Sequence, residues 1–170
     1  MKAIVFGADN FEDSELLCPY YRFKEAGIEA HIVGTEKGVI TGKYGYKVNV
    51  DKAVSEINPQ DYGVIIIPGG RAPEHLRLNE GVLSIVKYFF KKNLPVGAIC
   101  HGAQVLISAG VVGARRATCW QGMRDDLKAA GAKFEDKEVV VDGNLVTSRM
   151  PQDLPAFLRE LMKLVEGKAR

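Results

Sequence analysis

Two stretches of this chain, Tyr62–Ile67 (YGVIII) and Pro95–Ile99 (PVGAI), are almost wholly apolar, and they constrain the fold more than any other feature. A strand with one wet face alternates polar and apolar residues, whereas a strand without that alternation is covered on both faces. Between the two runs, Glu80–Lys92 places Val82, Leu83, Val86, Phe89 and Phe90 on one helical stripe. Strand, helix, strand is the crossover that joins parallel neighbours, so these residues predict central parallel strands between layers of helix.

The same alternation runs along the chain. Lys2–Phe6 (KAIVF) predicts a first strand, followed by the loop Gly7–Asp13 and a helix from a Ser14 cap to Ala26, with Gly27 as its stop. Glu29–Val33 predicts a second strand, and Val39–Val50 alternates around Gly42 and Gly45 as a hairpin does. Glu138–Ser148 predicts another hairpin, with Asp142-Gly143 in its turn. A last helix begins near Pro151 and carries Leu154, Leu158, Leu161 and Val165 at helical spacing. The expectation is one α/β domain over residues 1–170: a three-layer sandwich with a mostly parallel central sheet and added hairpins.

Composition removes several function classes. Hydrophobic residues at 46% and charged residues at 26% are globular proportions, which excludes a disordered or fibrous chain. Lys and Arg number 23 against 21 Asp and Glu, a balance that does not resemble the basic face a nucleic acid needs, and no nucleic-acid partner is expected. Cys18, Cys100 and Cys119 form no pair at metal-ligand spacing, and their odd number supports no disulfide framework; neither a metal nor another cofactor is expected. The Ala3–Phe6 run is too short for a signal peptide or a membrane span. A cytoplasmic protein with no membrane contact is the expectation.

In parallel sheets, ligands bind beyond the carboxyl ends of the strands. Three loops occupy that position: Gly7–Glu15 (GADNFEDSE), Pro68–Glu74 (PGGRAPE) and Ile99–Gln104 (ICHGAQ). The third runs from a buried strand into Cys100 and directly on into the helix-like GAQVLISAG, ending at Gly110. A nucleophile between strand and helix needs a sharp turn, for which Ala98 and Gly102 leave room. A helix N-terminus there would favour the thiolate of Cys100. Taken alone, Cys100 also reads as a small buried hydrophobe.

Gly69 and Gly70 allow close backbone approach, and amides in that loop can face an oxyanion together with the amide of His101. By itself a Pro-Gly-Gly turn is also an ordinary link between strand and helix. Glu12, Asp13 and Glu15 stand in or beside the first loop, where exposed carboxylates are usually just solvated. A Glu beside a reactive thiol can act as a donor or general acid if burial raises its pKa. Pro19 cannot donate to the carbonyl of Glu15, which predicts a distorted first helical turn. The only histidines are His31, His75 and His101, so no residue after position 101 can complete a downstream Cys–His triad.

The blocks FEDSELLCPYYRFKEAG, TGKYGYKV, IIIPGGRAPEHLR, VGAICHGAQVL and DGNLVTSRMPQDL lie in order along nearly the whole chain. Together they resemble the PfpI family of intracellular cysteine peptidases, within the superfamily of the Parkinsonism-associated protein deglycase. The resemblance implies a flavodoxin-like, class I glutamine amidotransferase-like domain, with Cys100 as nucleophile and His101 as its partner. It implies that Glu74 is delivered across a subunit interface of a homo-oligomer, a dimer or a hexamer. Glu12 and Glu15 match the acidic positions of the family's first loop, one of which contacts the nucleophile, and Lys43 and Trp120 fall where relatives line the pocket. Ala103 and Trp120 depart from the Pro and Tyr of many relatives.

The activity so implied is a cysteine hydrolase acting on peptides, or as a deglycase or glyoxalase on methylglyoxal-derived carbonyl adducts. Both reactions begin with thiolate addition to a carbonyl carbon. The alternative is a non-enzymatic stress protein, a redox sensor or chaperone that uses oxidation of Cys100.

Overall fold

The computed structural model describes residues 1–168. In chain order the elements are β1 (Lys2–Phe6), α1 (Asp13–Glu25), β2 (Glu29–Gly34), β3 (Val39–Thr41), β4 (Lys47–Asn49), β5 (Lys52–Ala53), β6 (Val64–Ile67), α2 (Ala72–Leu76) and α3 (Glu80–Lys91). They continue with β7 (Val96–Ile99), α4 (Ala103–Ser108), β8 (Arg116–Ala117), α5 (Arg124–Ala129), β9 (Lys133–Phe134), β10 (Val140–Asp142), β11 (Leu145–Ser148) and α6 (Leu154–Lys168).

The two apolar runs become β6 and β7, and every residue of both strands is buried. They pair in parallel at the centre of a seven-stranded sheet of order β10-β11-β7-β6-β1-β2-β5. Helices α1 and α6 pack together against one face, and α3 and α4, with α2 packed on α4, lie on the other. This is the expected three-layer α/β sandwich. Strand β10, which pairs antiparallel with β11, is the one exception to parallel order in that sheet among the described residues. No helix in them is long and apolar enough to cross a membrane.

Several local expectations shift. The first helix starts at Asp13 with Glu12 in the cap position, so Ser14 lies inside the first turn and not at its cap. The Ser14 hydroxyl instead points back to Glu12 Oε1 at 3.4 Å. Pro19 stands inside α1 without interrupting it, because the strands beneath hold the helix in place. The 138–148 hairpin turns on Gly143-Asn144, one residue later than expected, since Asp142 pairs with Leu145 in the ladder. Asp142 is kept there by accepting the Arg116 amide at 2.7 Å. Its second strand, β11, is also a full member of the main sheet, parallel to β7. The 39–50 hairpin forms as expected, with β3 antiparallel to β4.

Candidate active site

Strand β7 delivers the chain in extended conformation to Ile99, and the next residue, Cys100, has φ 59°. A side chain other than Gly or Asn seldom adopts that conformation unless its surroundings impose it. Here they do. Cys100–Gly102 make one 3₁₀ turn leading straight into α4, and a Cβ on Gly102 would stand 2.3 Å from the Ile67 carbonyl oxygen. The turn therefore rests directly on β6. From the other side, the Trp120 amide donates to the Cys100 carbonyl at 3.3 Å. The nucleophile elbow expected from spacing is present, with its cysteine at the carboxyl end of a central strand.

His101 does face its neighbour: Nδ1 lies 3.3 Å from Cys100 Sγ. The ring stacks on Trp120, with centroids 6.3 Å apart and an interplanar angle of 26°. Burial lowers the His101 pKa, the Glu74 carboxylate opposes that shift, and Lys43 adds to it. The backbone amides of His101 and Gly70 hydrogen-bond the Cys100 sulfur and favour its anion.

The second loop adapts to the first. Gly70 has φ 72°, and a Cβ there would stand 2.3 Å from the Asn10 carbonyl oxygen. The loops are stitched by the Arg71 amide donating to the Asn10 carbonyl at 2.7 Å and the Glu12 amide donating to the Gly69 carbonyl at 3.2 Å. At Gly69 a Cβ would lie 2.5 Å from Glu15 Oε2 and 2.7 Å from Cys100 Cβ. The Gly69 amide donates to Glu15 Oε2 at 2.8 Å. It is thus committed to Glu15 and is not free to face an oxyanion, which corrects the expectation for that residue.

Glu15 has no solvent exposure, and burial raises its pKa from 4.5 to about 8. At neutral pH the carboxyl is therefore mainly protonated. Among the described residues its Oε1 has no hydrogen-bond partner, while Oε2 takes the Gly69 amide. Burial, and above the Glu15 pKa the charge of that carboxylate, push the Cys100 thiol up, against the backbone amides of His101 and Gly70 at the start of the turn, which favour its anion. The protonated carboxyl removes that repulsion and offers a donor in its place. Cys119, fully buried, is likewise pushed up to about 12, and Cys18 lies on α1 away from the site.

Glu12, Glu15, Lys43, Gly70, Glu74, Cys100, His101 and Trp120 all line one open cavity of about 480 Å³. Of the residues anticipated from sequence, only Gly69 stays behind its wall. Glu74 is paired with Arg71 at 3.2 Å on the exposed start of α2. Lys43 reaches the cavity because the 39–50 hairpin docks on the first loop: Asp13 accepts the amides of Tyr44 and Tyr46 at 3.0 and 3.1 Å, and Asp9 accepts that of Thr41 at 2.8 Å. Tyr44, Arg71 and Met150–Gln152 also line the cavity and were not anticipated. The last three residues follow β11, so the rule about carboxyl ends of parallel strands finds them once β11 counts as a sheet strand. Among the described residues no cluster of His, Cys, Asp or Glu is suited to a metal ion.

A cysteine held at positive φ between a central parallel strand and a helix, with amides and a histidine turned on its sulfur, defines an α/β protein of the cysteine-elbow class. The chain belongs to the DJ-1/PfpI family, which it matches over residues 1–164. It is 51% identical over 166 residues to the deglycase PfpI of Pyrococcus furiosus, covering 98% of this chain and 100% of that protein. YraA of Bacillus subtilis, whose name assigns it provisionally as a cysteine protease, is 42% identical over 97% of this chain and 98% of its own. The solved structure of Schizosaccharomyces pombe DJ-1 superposes with a TM-score of 0.88 at 27% identity, covering 96% of this chain and 90% of that one.

Proposed function

We propose that this chain is a cysteine hydrolase whose thiolate adds to a substrate carbonyl, as in peptide or deglycase chemistry. The observation that carries the reading is Cys100 at φ 59° with His101 Nδ1 at 3.3 Å. His101 takes the thiol proton as sulfur attacks, and the amides of Gly70 and His101 pass from the sulfur to the developing oxyanion. For a peptide amide, expulsion of the amine, protonated by His101, leaves a thioester that water hydrolyses. Protonated Glu15 donates to the sulfur and excludes a second negative charge. Lys43 and Trp120 contact substrate. Relatives carrying deglycase and cysteine-protease names support this reading over a purely non-enzymatic sensor.

The working unit in this reading is a cytoplasmic homo-oligomer, a dimer or hexamer, of one-domain chains. Glu74 from a neighbour orients His101. In support, Glu74 lies on a half-exposed helix start and is bonded to Arg71, and within its own chain it acts on His101 through its charge and not through a hydrogen bond among the described residues. The test is turnover of a methylglyoxal adduct and of a fluorogenic peptide by wild type and Cys100→Ser. Turnover of either substrate that the variant lacks supports the reading, and turnover of neither by folded wild type overturns it.

A further inference from the structure

The chemistry above leaves one charge in the cavity unused. The Glu12 side chain is only 10% exposed, and among the described residues both side-chain contacts to its carboxylate are long. Oε2 lies 3.7 Å from Lys43 Nζ, outside hydrogen-bond range, and among the described residues Oε1 receives only the 3.4 Å contact from Ser14. An ionised carboxylate accepts about four donors, and these oxygens line the open cavity with room for closer ones. Such a group is poised for a donor that arrives with a ligand.

Its position is rigid. The Glu12 amide bonds the Gly69 carbonyl, and a Cβ on Gly70 would stand 2.4 Å from that amide nitrogen. The carboxylate therefore belongs to the same backbone strip as the Gly70 amide that faces the sulfur. The cations of the cavity are different. Lys43 and Arg71 are 55% and 74% exposed on long flexible stems, and Arg71 is already paired with Glu74. Fixed negative charge lies beside the nucleophile, and positive charge lies at a movable rim.

We infer that Glu12 is the subsite for a protonated nitrogen of the substrate, an ammonium or guanidinium close to the carbonyl that Cys100 attacks, with Lys43 occupying that place when the cavity is empty. This rests on the hydrolase reading above. The Glu12 charge also opposes the Cys100 anion, so a substrate cation that cancels it eases formation of the thiolate. The preferred substrate class is thus a carbonyl compound with an adjacent cationic nitrogen, whether a peptide's α-ammonium or a basic side chain.

The test compares coumarin amides of alanine, N-acetylalanine and N-acetylarginine on wild type and Glu12→Gln. Loss of a charge-assisted contact predicts a roughly 10- to 100-fold fall in kcat/KM for the cationic substrate, with a far smaller change for N-acetylalanine. A selective fall on the alanine amide assigns the α-ammonium, and one on N-acetylarginine assigns the guanidinium. Lys43→Ala, which removes the competing cation, should increase the cationic preference. Equal loss on all three substrates, or a cationic preference that drops in Lys43→Ala, refutes the inference.

Trp120 is the chain's single tryptophan and lines the cavity, so its fluorescence reports binding without turnover. In Cys100→Ser protein, alaninamide or N-acetylargininamide should change that fluorescence far more than N-acetylalaninamide, and added Glu12→Gln should abolish the difference. If binding is selective but no amide is hydrolysed, the hydrolase reading fails and the subsite stands. If none of the three ligands binds selectively at tens of millimolar, the subsite is refuted.

Discussion

Replacing Glu15 by Gln removes an ionisable group that the fold holds without solvent contact. In the unfolded chain this carboxyl titrates at its ordinary 4.5, whereas in the native state burial moves it to about 8. Between those values the native protein holds a proton that the unfolded chain has released, so stability falls as pH rises through the window. The contribution is fully present below 4.5 and lost above about 8, and the difference corresponds to about 5 kcal/mol as a limiting value. Glutamine keeps the geometry: its oxygen accepts the Gly69 amide, and its nitrogen is a permanent donor toward Cys100. Chemical denaturation of wild type and Glu15→Gln at one protein concentration, stepped from pH 5 to 8, reads the effect. The Cys100 thiol does not interfere, because it titrates near 9 when unfolded and about 12 when folded. The variant should gain several kcal/mol on wild type across the window, with the two converging at the acid end. A difference that stays constant or shrinks as pH rises would mean that Glu15 is already ionised in the native protein.

Gly69→Ala would push a Cβ to 2.5 Å from Glu15 Oε2 and 2.7 Å from Cys100 Cβ, so turnover should fall by about 100-fold or more while the fold survives; undiminished kcat in a folded variant contradicts that packing. Asp13→Ala removes the acceptor of two hairpin amides and should cost about 1–3 kcal/mol, with KM rising more than kcat falls as Lys43 loses its support. Denaturation midpoints and steady-state kinetics check both effects. Mixing inactive Cys100→Ala with inactive Glu74→Ala subunits should restore activity if sites are shared, because each mixed pair contains one complete site; subunit exchange without recovery removes Glu74 from the neighbour's site.

Much of this site is readable before folding because the demands involved are local. Strand β7 followed by Cys-His-Gly and an apolar helix asks for a sharp turn whatever the rest of the chain does, and the φ of 59° at Cys100 meets it. The apolar runs of β6 and β7 likewise require cover on both faces. Where the structure departs from the local pattern, distant partners are the cause. Ser14 yields the cap position because Asp13 turns to the hairpin amides, and the 142–143 turn slips by one residue because Arg116 holds Asp142 in the ladder. Strand β11 reads as half a hairpin until its parallel pairing with β7 is seen, and Met150–Gln152 are missed with it.

The chain's own order of residues determined the layered α/β architecture, the elbow cysteine and its histidine, and the three loops that carry polar groups to one end of the sheet. These follow from periodicity and backbone geometry over a few neighbouring residues. The tertiary structure alone decided the protonation chemistry. Glu15 meets the Gly69 amide across 54 positions of sequence, and only that packing strips it of water and raises its pKa to about 8. The same closure commits the Gly69 amide, sets Glu12 beside Lys43 and strips water from the Cys100 thiol, which opposes its ionisation. Desolvation and charge proximity are set by everything that surrounds a group, and those surroundings come together only when distant segments pack.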